Sequence, residues 1–194
     1  IEAAFAHLEA RYFRHPSYMR LRSKPVVWFF ISESFIGHFF YRFSKLLEST
    51  RVYHCIAASG FCFSKYLPVH YAQFFDGWSL YSPLQISKPK DWEDRWRASS
   101  RDFAEVKSGD DLRVFTVCPG FDDTDLTHQA RVHSKLRSIP RRGTATYERM
   151  QKACMALKDP PELVVVTSFN EFHENTHIEP SEQFGRAALE DGHP

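Results

Sequence analysis

The chain has 194 residues, of which 43% are hydrophobic and 15% are aromatic, a composition typical of a globular domain with a substantial core. Its 25 Lys and Arg residues nearly balance its 24 Asp and Glu residues, so the formal net charge is only +1. This balance offers no electrostatic attraction for nucleic acid or for an anionic membrane surface. The composition therefore excludes a disordered chain and indicates a neutral or small partner.

The cysteines and apolar segments give little information about the compartment. No two of the four cysteines form a C-x-x-C pair, so the redox environment stays open. The longest purely apolar run, residues 26–31, is far shorter than the roughly 20 residues that cross a bilayer, and no direct membrane contact is expected of this chain. No signal peptide precedes that run, and the start at Ile1 leads us to expect that upstream residues are missing.

The hydrophobic pattern predicts strands that alternate with helices. A helix carrying Phe5, Leu8 and Tyr12 comes before a buried strand at residues 26–31. Further helices are predicted at residues 35–46, after Asp91, and over a stretch with apolar residues at Tyr147, Met150, Cys154 and Leu157. Further strands are predicted at residues 52–58, 76–80, 111–118 and 162–168. Between the last two of these strands lies a polar connection longer than an ordinary loop, which is typical of a functional loop.

The predicted strands are apolar almost throughout, which is typical of parallel strands covered by helices on both faces. About five such strands can be counted, whereas a closed (β/α)8 barrel has eight strands and about 250 residues. The pattern alone thus fits either an open α/β sheet or part of a TIM barrel whose first strands lie upstream of Ile1. No repeat or second-domain boundary is visible, so residues 1–194 are interpreted as one domain.

The twelve residues 169–180, directly after the last strand, combine three carboxylates, two imidazoles, two amides and a hydroxyl. Chemistry in parallel α/β folds lies at the carboxyl ends of strands, where this segment begins. Glycoside cleavage needs one carboxylic acid and a second carboxylate about 5–10 Å away. Glu171 and Glu174 are candidates for this pair, although E-x-x-E commonly decorates a solvated helix instead.

The same residues contain a rival pattern, because His173 and His177 bracket a literal H-E-x-x-H zinc motif. This motif works on a helix, where positions i and i+4 share one face, and it requires a third ligand further along. Here a strand ends just before the motif, and Pro180 follows it closely. A zinc hydrolase is therefore the less favoured alternative, and no metal site is predicted.

The segment T-S-F-N-E-F-H-E-N-T-H-I-E-P at residues 167–180 resembles the signature T-S-F-N-E-W-H-E-G-T-Q-I-E of endo-α-mannosidases, glycoside hydrolase family 99. Other blocks resemble the family in the same order, including His15-Pro16, F-D-G-W at residues 75–78 and C-P-G-F-D-D-T at residues 118–124. The resemblance implies the C-terminal portion of a (β/α)8 barrel glycosidase. We therefore expect the isolated segment, with open sheet edges, to be inactive or poorly soluble.

The resemblance also implies a function, namely retaining endo-acting hydrolysis of internal α-mannosidic bonds without a metal or organic cofactor. Glu171 would take the proton of the substrate 2-hydroxyl, and Glu174 would protonate the departing oxygen and later activate water. The implied partner is an α-mannoside oligosaccharide or N-glycan, and the implied location is the Golgi lumen, the periplasm or the cell exterior. The implied substrate-binding residues are Asn170, Phe172, His173, His177, Glu179, Phe121, Asp122 and Tyr81.

Several positions depart from the family pattern. Phe172 replaces a Trp, Asn175 a Gly, Phe121 a Tyr and His177 a Gln, while both glutamates are retained. Because the family has Gln at position 177, the resemblance implies that the H-E-x-x-H pattern arose by chance and does not bind zinc. The departures fit a shifted glycan specificity, and they also fit the alternative of a catalytically degenerate barrel that binds glycans without hydrolysing them. The oligomeric state is not predicted.

Overall fold

A computed structural model describes residues 1–30, 45, 48–61, 75–81, 112–122, 138–157 and 160–186. These residues belong to two compact units. The first contains the described residues up to Leu80 together with Leu112 and Arg113, and the second contains Tyr81 and the described residues from Val114 onward. The interpretation of residues 1–194 as one barrel domain stays a prediction.

The first unit begins with the predicted helix, α1 (Glu2–Leu8), which continues directly into a π-helix (Glu9–Phe13). Phe5 is buried as predicted, but Tyr12 is 49% exposed and Phe13 is buried instead, because the π-helical turn changes the spacing of the inner face. The ring of Phe5 stacks on that of Tyr53, with centroids 5.8 Å apart. The buried cluster of this unit consists of Phe5, Phe13, Cys55, Ala57 and Phe75.

Five strands pair in the first unit: β1 (Arg20–Leu21), β2 (Lys24–Phe30), β3 (Ile56–Phe61), β4 (Gly77–Leu80) and the start of β5 (Leu112–Val117). β1 is antiparallel to β2, and the other neighbours are parallel, with Val26 opposite Ile56, Ala58 opposite Gly77, and Gly77 opposite Leu112. The order is therefore β1-β2-β3-β4-β5. The strands from β2 to β5 therefore all run in the same direction, as expected of the βαβ units predicted from the sequence.

One predicted boundary is wrong. The strand expected at residues 52–58 begins only at Ile56, because residues 48–52 are helical and a turn follows them. His54 in that turn has φ 48°, and the Cys55 N–H donates to the Thr50 carbonyl at 3.1 Å. The apolar residues before Cys55 thus belong to a helix end, which has the same local composition as a strand.

Asp76 connects three parallel strands at their amino ends. Its Oδ2 accepts the Ala57 N–H at 2.8 Å, and its own N–H donates to the Ala57 carbonyl at 2.7 Å. Its carbonyl accepts the Leu112 N–H at 2.8 Å. The F-D-G block of the sequence therefore holds β3, β4 and β5 at a common starting edge.

In the second unit the remainder of β5 pairs in parallel with β8 (Leu163–Val166), from Val114 opposite Leu163 to Val117 opposite Val166. β6 (Phe121–Asp122) and β7 (Ser138–Ile139) form a short antiparallel pair. Helix α2 (Ala145–Met155) is the predicted helix, and it buries one face. The core of the unit consists of Phe115, Val117, Cys118, Phe121, Ile139, Tyr147, Met150, Ala153 and Cys154.

All five strands predicted from sequence occur, as β2, β3, β4, β5 and β8, and each has a parallel neighbour. The predicted helix after Asp91 and nearly all of the one at residues 35–46 lie outside the described residues. In the described part of the chain, no helix has both the length and the apolar character needed to cross a membrane.

Candidate active site

The segment that follows β8 folds into a closed loop, residues 168–179, which we call the β8 loop. The Thr167 N–H donates to the Val117 carbonyl at 3.0 Å and extends the pairing with β5. The Ser168 N–H then donates to the Thr176 carbonyl, and the Ile178 N–H donates to the Ser168 carbonyl, both at 2.9 Å. The two ends of the loop are thus joined by their own backbone at the carboxyl end of a core strand.

The hydroxyl of Ser168 organises the interior of the β8 loop. It accepts the Glu171 N–H at 2.9 Å and lies 2.9 Å from the hydroxyl of Thr176, which is 0% exposed. The Thr176 N–H donates to the Glu171 carbonyl at 3.3 Å. The backbone of Glu171 is therefore bound through both its N–H and its carbonyl, which fixes where its side chain leaves the chain.

The two glutamates occupy different environments on one turn. Glu171 is half-buried, whereas Glu174 is 8% exposed. The Glu174 carbonyl accepts the Asp122 N–H at 2.8 Å, and Asp122 Oδ2 accepts the Ser138 hydroxyl at 3.0 Å. The β6–β7 pair therefore supports the backbone at Glu174. Two carboxylates on one anchored turn, one half-open to solvent and the other enclosed, suit division of labour between two acid/base roles.

The imidazole of His177 lies between two aromatic rings, each tilted against it. Its centroid is 4.3 Å from that of Phe172 and 5.6 Å from that of Phe184, and its Nε2 is 3.4 Å from the Ser181 hydroxyl. The imidazole is 4% exposed. Burial lowers the pKa of His177 below its ordinary value, and the nearby positive charge of Arg141 lowers it further. His177 is accordingly a neutral packing residue near pH 7.

Arg141 is a buried cation beside these rings. Its Nη1 donates to the His177 carbonyl at 2.6 Å, and its guanidinium carbon lies 4.0 Å from the ring centroid of Phe184. Burial lowers the pKa of this guanidinium from its ordinary high value. Because the donor is a charged guanidinium, its bond to this backbone carbonyl of the β8 loop is a charge-assisted hydrogen bond.

The H-E-x-x-H residues do not adopt the geometry of a zinc helix. Residues 172–175 form turns and residues 176–178 are irregular, so His173 and His177 do not share a helical face. His173 is exposed, whereas His177 is enclosed by aromatic rings. Within the described ranges, no group of three or more His, Cys, Asp or Glu side chains is placed to hold a metal ion.

The predicted substrate-binding residues divide by exposure. Asn170, Phe172 and His173 are exposed on the β8 loop, Phe172 by 47%. A second group is half-buried and consists of Glu179, Asp122 and Tyr81. Phe121 and His177 are buried; Phe121 packs in the core of the second unit, and His177 packs under Phe172. Buried rings offer little surface to a ligand, and the assignment of all eight residues to substrate binding stays a prediction.

Sequence reasoning missed three residues that shape the site, namely Arg141, Ser168 and Phe184. Arg141 lies in the polar connection beside a second arginine, Arg142, which is exposed. Both look like solvated loop residues in the sequence. The glycine at position 120 was the only hint in the sequence of close packing in this region. A Cβ at Gly120 would lie 2.6 Å from Arg141 Cγ and 2.9 Å from the Ile139 carbonyl oxygen, so the loop needs glycine beside the arginine.

Comparisons with known proteins give a likeness of fold. No family model matches the chain, and no curated protein matches it. Among solved structures, it is similar to the GH99 endo-α-mannosidase from Bacteroides thetaiotaomicron in complex with bis-tris propane, with a TM-score of 0.62, 22% identity, and coverage of 95% of this chain and 57% of that one. A second structure of the GH99 endo-α-mannosidase from that organism gives a TM-score of 0.60, 20% identity, and coverage of 95% and 54%. The chain therefore has the fold of just over half of a glycoside hydrolase chain.

Proposed function

We propose that this chain carries the acid/base pair of a retaining, endo-acting α-mannosidase-like glycoside hydrolase. The observation that carries the proposal is the β8 loop, which anchors Glu171 and Glu174 on one turn at the carboxyl end of a parallel strand. The likeness of fold to endo-α-mannosidases supports the same reaction class. Because the chain spans just over half of those proteins, the activity belongs to a protein that supplies the rest of the site.

In the proposed mechanism, Glu171 removes the proton of the substrate 2-hydroxyl, and that oxygen attacks the anomeric carbon as the glycosidic bond breaks. Glu174 donates its proton to the departing oxygen. Water, deprotonated by Glu174, then opens the epoxide-like intermediate at the anomeric carbon, and Glu171 returns the first proton to the 2-oxygen. Two displacements at one carbon retain its configuration. The burial of Glu174 suits a proton donor, because it limits the access of bulk water to the carboxyl group.

The proposed substrate is an α-mannoside oligosaccharide or N-glycan. Asn170, Phe172 and His173 are the exposed side chains next to the two glutamates, and they combine one amide, one apolar ring and one imidazole. Such a set suits a sugar, which presents hydroxyl groups at its rim and apolar C–H faces. With the function we propose a location in the Golgi lumen, the periplasm or outside the cell.

The test uses a protein that contains this chain and supplies the rest of the site. Its hydrolysis of an α-mannose oligosaccharide with internal bonds is followed by NMR of the first product anomer. Glu171→Gln and Glu174→Gln should each reduce turnover at least about 10²-fold, the usual scale of general acid–base catalysis. Glu182→Gln is the matched control, because Glu182 is an exposed glutamate outside the β8 loop.

Each outcome distinguishes the proposed reaction from its alternatives. Retained configuration with activity lost in both glutamate variants supports the proposal. Oligomannoside binding without turnover in a wild-type protein that supplies the rest of the site indicates the glycan-binding barrel instead. Activity that depends on stoichiometric zinc and disappears in His173→Ala indicates the zinc hydrolase, and an inverted product anomer rejects the retaining mechanism.

A further inference from the structure

Arg141 is buried without a described acidic partner. It is 5% exposed, and within the described residues it forms no ion pair, while its Nε and the Nδ1 of His177 have no hydrogen-bond partner there. Burying a cation is unfavourable unless other interactions compensate. An apolar side chain would fill the same space without that penalty, so stability alone does not account for a guanidinium at this position.

The contacts of Arg141 all lead to the β8 loop. Its Nη1 bonds the His177 carbonyl at 2.6 Å, and its guanidinium plane covers Phe184, which in turn contacts the imidazole of His177. The imidazole contacts Phe172, whose ring is the exposed one of the series. A series of contacts therefore runs from the buried guanidinium of Arg141 through Phe184 and His177 to Phe172. It ends at the surface beside Glu171 and Glu174.

The partners of Arg141 are themselves held in place. The Ser181 and Gly185 backbones exchange hydrogen bonds of 3.3 and 2.7 Å, and the Phe184 N–H donates to the Ser181 hydroxyl at 3.2 Å. This small closed turn presents the ring of Phe184 to Arg141. On the other side, Gly120 provides the space that Arg141 Cγ occupies. Segments that follow β5, β7 and β8 thus converge on one side chain.

From these contacts we infer that Arg141 is a positioning residue for the β8 loop and for the ring of Phe172. The bond to His177 acts on the carboxyl half of the loop, and the Asp122 N–H acts at Glu174. Between them, these bonds determine the position of the turn that carries both glutamates. The inference about loop geometry stands on the contacts alone, whereas its effect on turnover rests on the proposed function.

The first measurement is amide hydrogen exchange, which needs no turnover. Arg141→Met keeps the apolar stem and removes the guanidinium, so exchange of the Thr176, Ile178 and Glu179 amides should accelerate about 10-fold or more. Amides of helix α2 should keep their wild-type rates. Arg141→Lys should give a smaller acceleration, since an ammonium can bond the carbonyl but cannot cover the ring of Phe184. The matched control is Arg142→Met, which should leave every amide unchanged.

The outcomes separate positioning from general stabilisation. Wild-type exchange of the β8 loop in Arg141→Met overturns the inference, and so does an equal acceleration in helix α2. If Arg141→Met does not fold, Phe184→Leu removes the stacking surface and should loosen the same amides. In an active protein, kcat should fall roughly 10- to 100-fold with KM changed less than about threefold, because displaced catalytic groups slow the chemical step. Absence of mannoside hydrolysis in a wild-type protein that supplies the rest of the site would reject the proposed function and leave the exchange result to decide this inference.

Discussion

Replacing Ser168 with alanine should weaken the β8 loop measurably. The hydroxyl has two partners at 2.9 Å, the Glu171 N–H and the Thr176 hydroxyl. A hydrogen bond contributes about 1 kcal/mol net to stability, so losing both should lower the free energy of unfolding by about 2 kcal/mol. For a chain of this size, that corresponds to a fall in Tm of roughly 4–8 °C. The buried Thr176 hydroxyl would retain only the Glu171 carbonyl at 3.5 Å.

The assay is urea unfolding of Ser168→Ala, Thr176→Val and the double variant. The two single changes share one hydroxyl–hydroxyl bond, so their effects should be non-additive by about 1 kcal/mol. Ser17→Ala, at an exposed serine, is the control and should stay within about 0.5 kcal/mol of the wild type. A loss below about 0.5 kcal/mol for Ser168→Ala, or strict additivity in the double variant, would refute the role assigned to this hydroxyl.

Three further changes test the packing around the loop. Gly120→Ala should destabilise by about 1–3 kcal/mol in thermal unfolding because its Cβ would meet Arg141 Cγ at 2.6 Å, and a cost below that range would argue against the close packing. Met150→Ala, in the centre of the core, should lower the free energy of unfolding by about 2–5 kcal/mol, with Met150→Leu costing under about 1.5 kcal/mol. The lowered pKa of His177 means that the unfolded chain binds a proton more readily than the folded one. Stability should therefore fall as the pH drops from about 6.5 through the lower folded-state pKa, and stay level above that window. His177→Gln should remove this dependence in unfolding measured at several pH values; an unchanged slope would contradict it.

The strands were predictable because their signal is local. Residues 163–166 are apolar at every position, a composition typical of a parallel strand. Helix α2 was predictable for the same reason, since Tyr147, Met150 and Cys154 repeat at helical spacing. The helix end before Ile56 was misassigned, because a short apolar run fits a buried strand and a buried helix equally well.

The site was predictable only in part, because its support comes from residues far apart in the chain. The position of the β8 loop follows from the strand before it, and the cluster of polar residues marks it. The choice between Arg141 and Arg142 does not follow from local sequence. It depends on which side chain contacts Phe184 and the His177 carbonyl. His177 is 36 residues further along the chain than Arg141, so only the tertiary fold brings the two residues together.

The triple link at Asp76 bears on the order in which the first unit assembles. Parallel strands must be brought together across long crossovers, and the entropy of closing such loops opposes each pairing until contacts form. Asp76 binds Ala57, 19 residues earlier, through both backbone and side chain, and it binds Leu112 of the following strand. One residue thus aligns two registers at once, so a slipped pairing of either strand would forfeit these bonds. We therefore expect the short F-D-G block to favour the correct strand register during folding. It lies at the amino ends of the strands, whereas the chemistry of parallel folds takes place at their carboxyl ends.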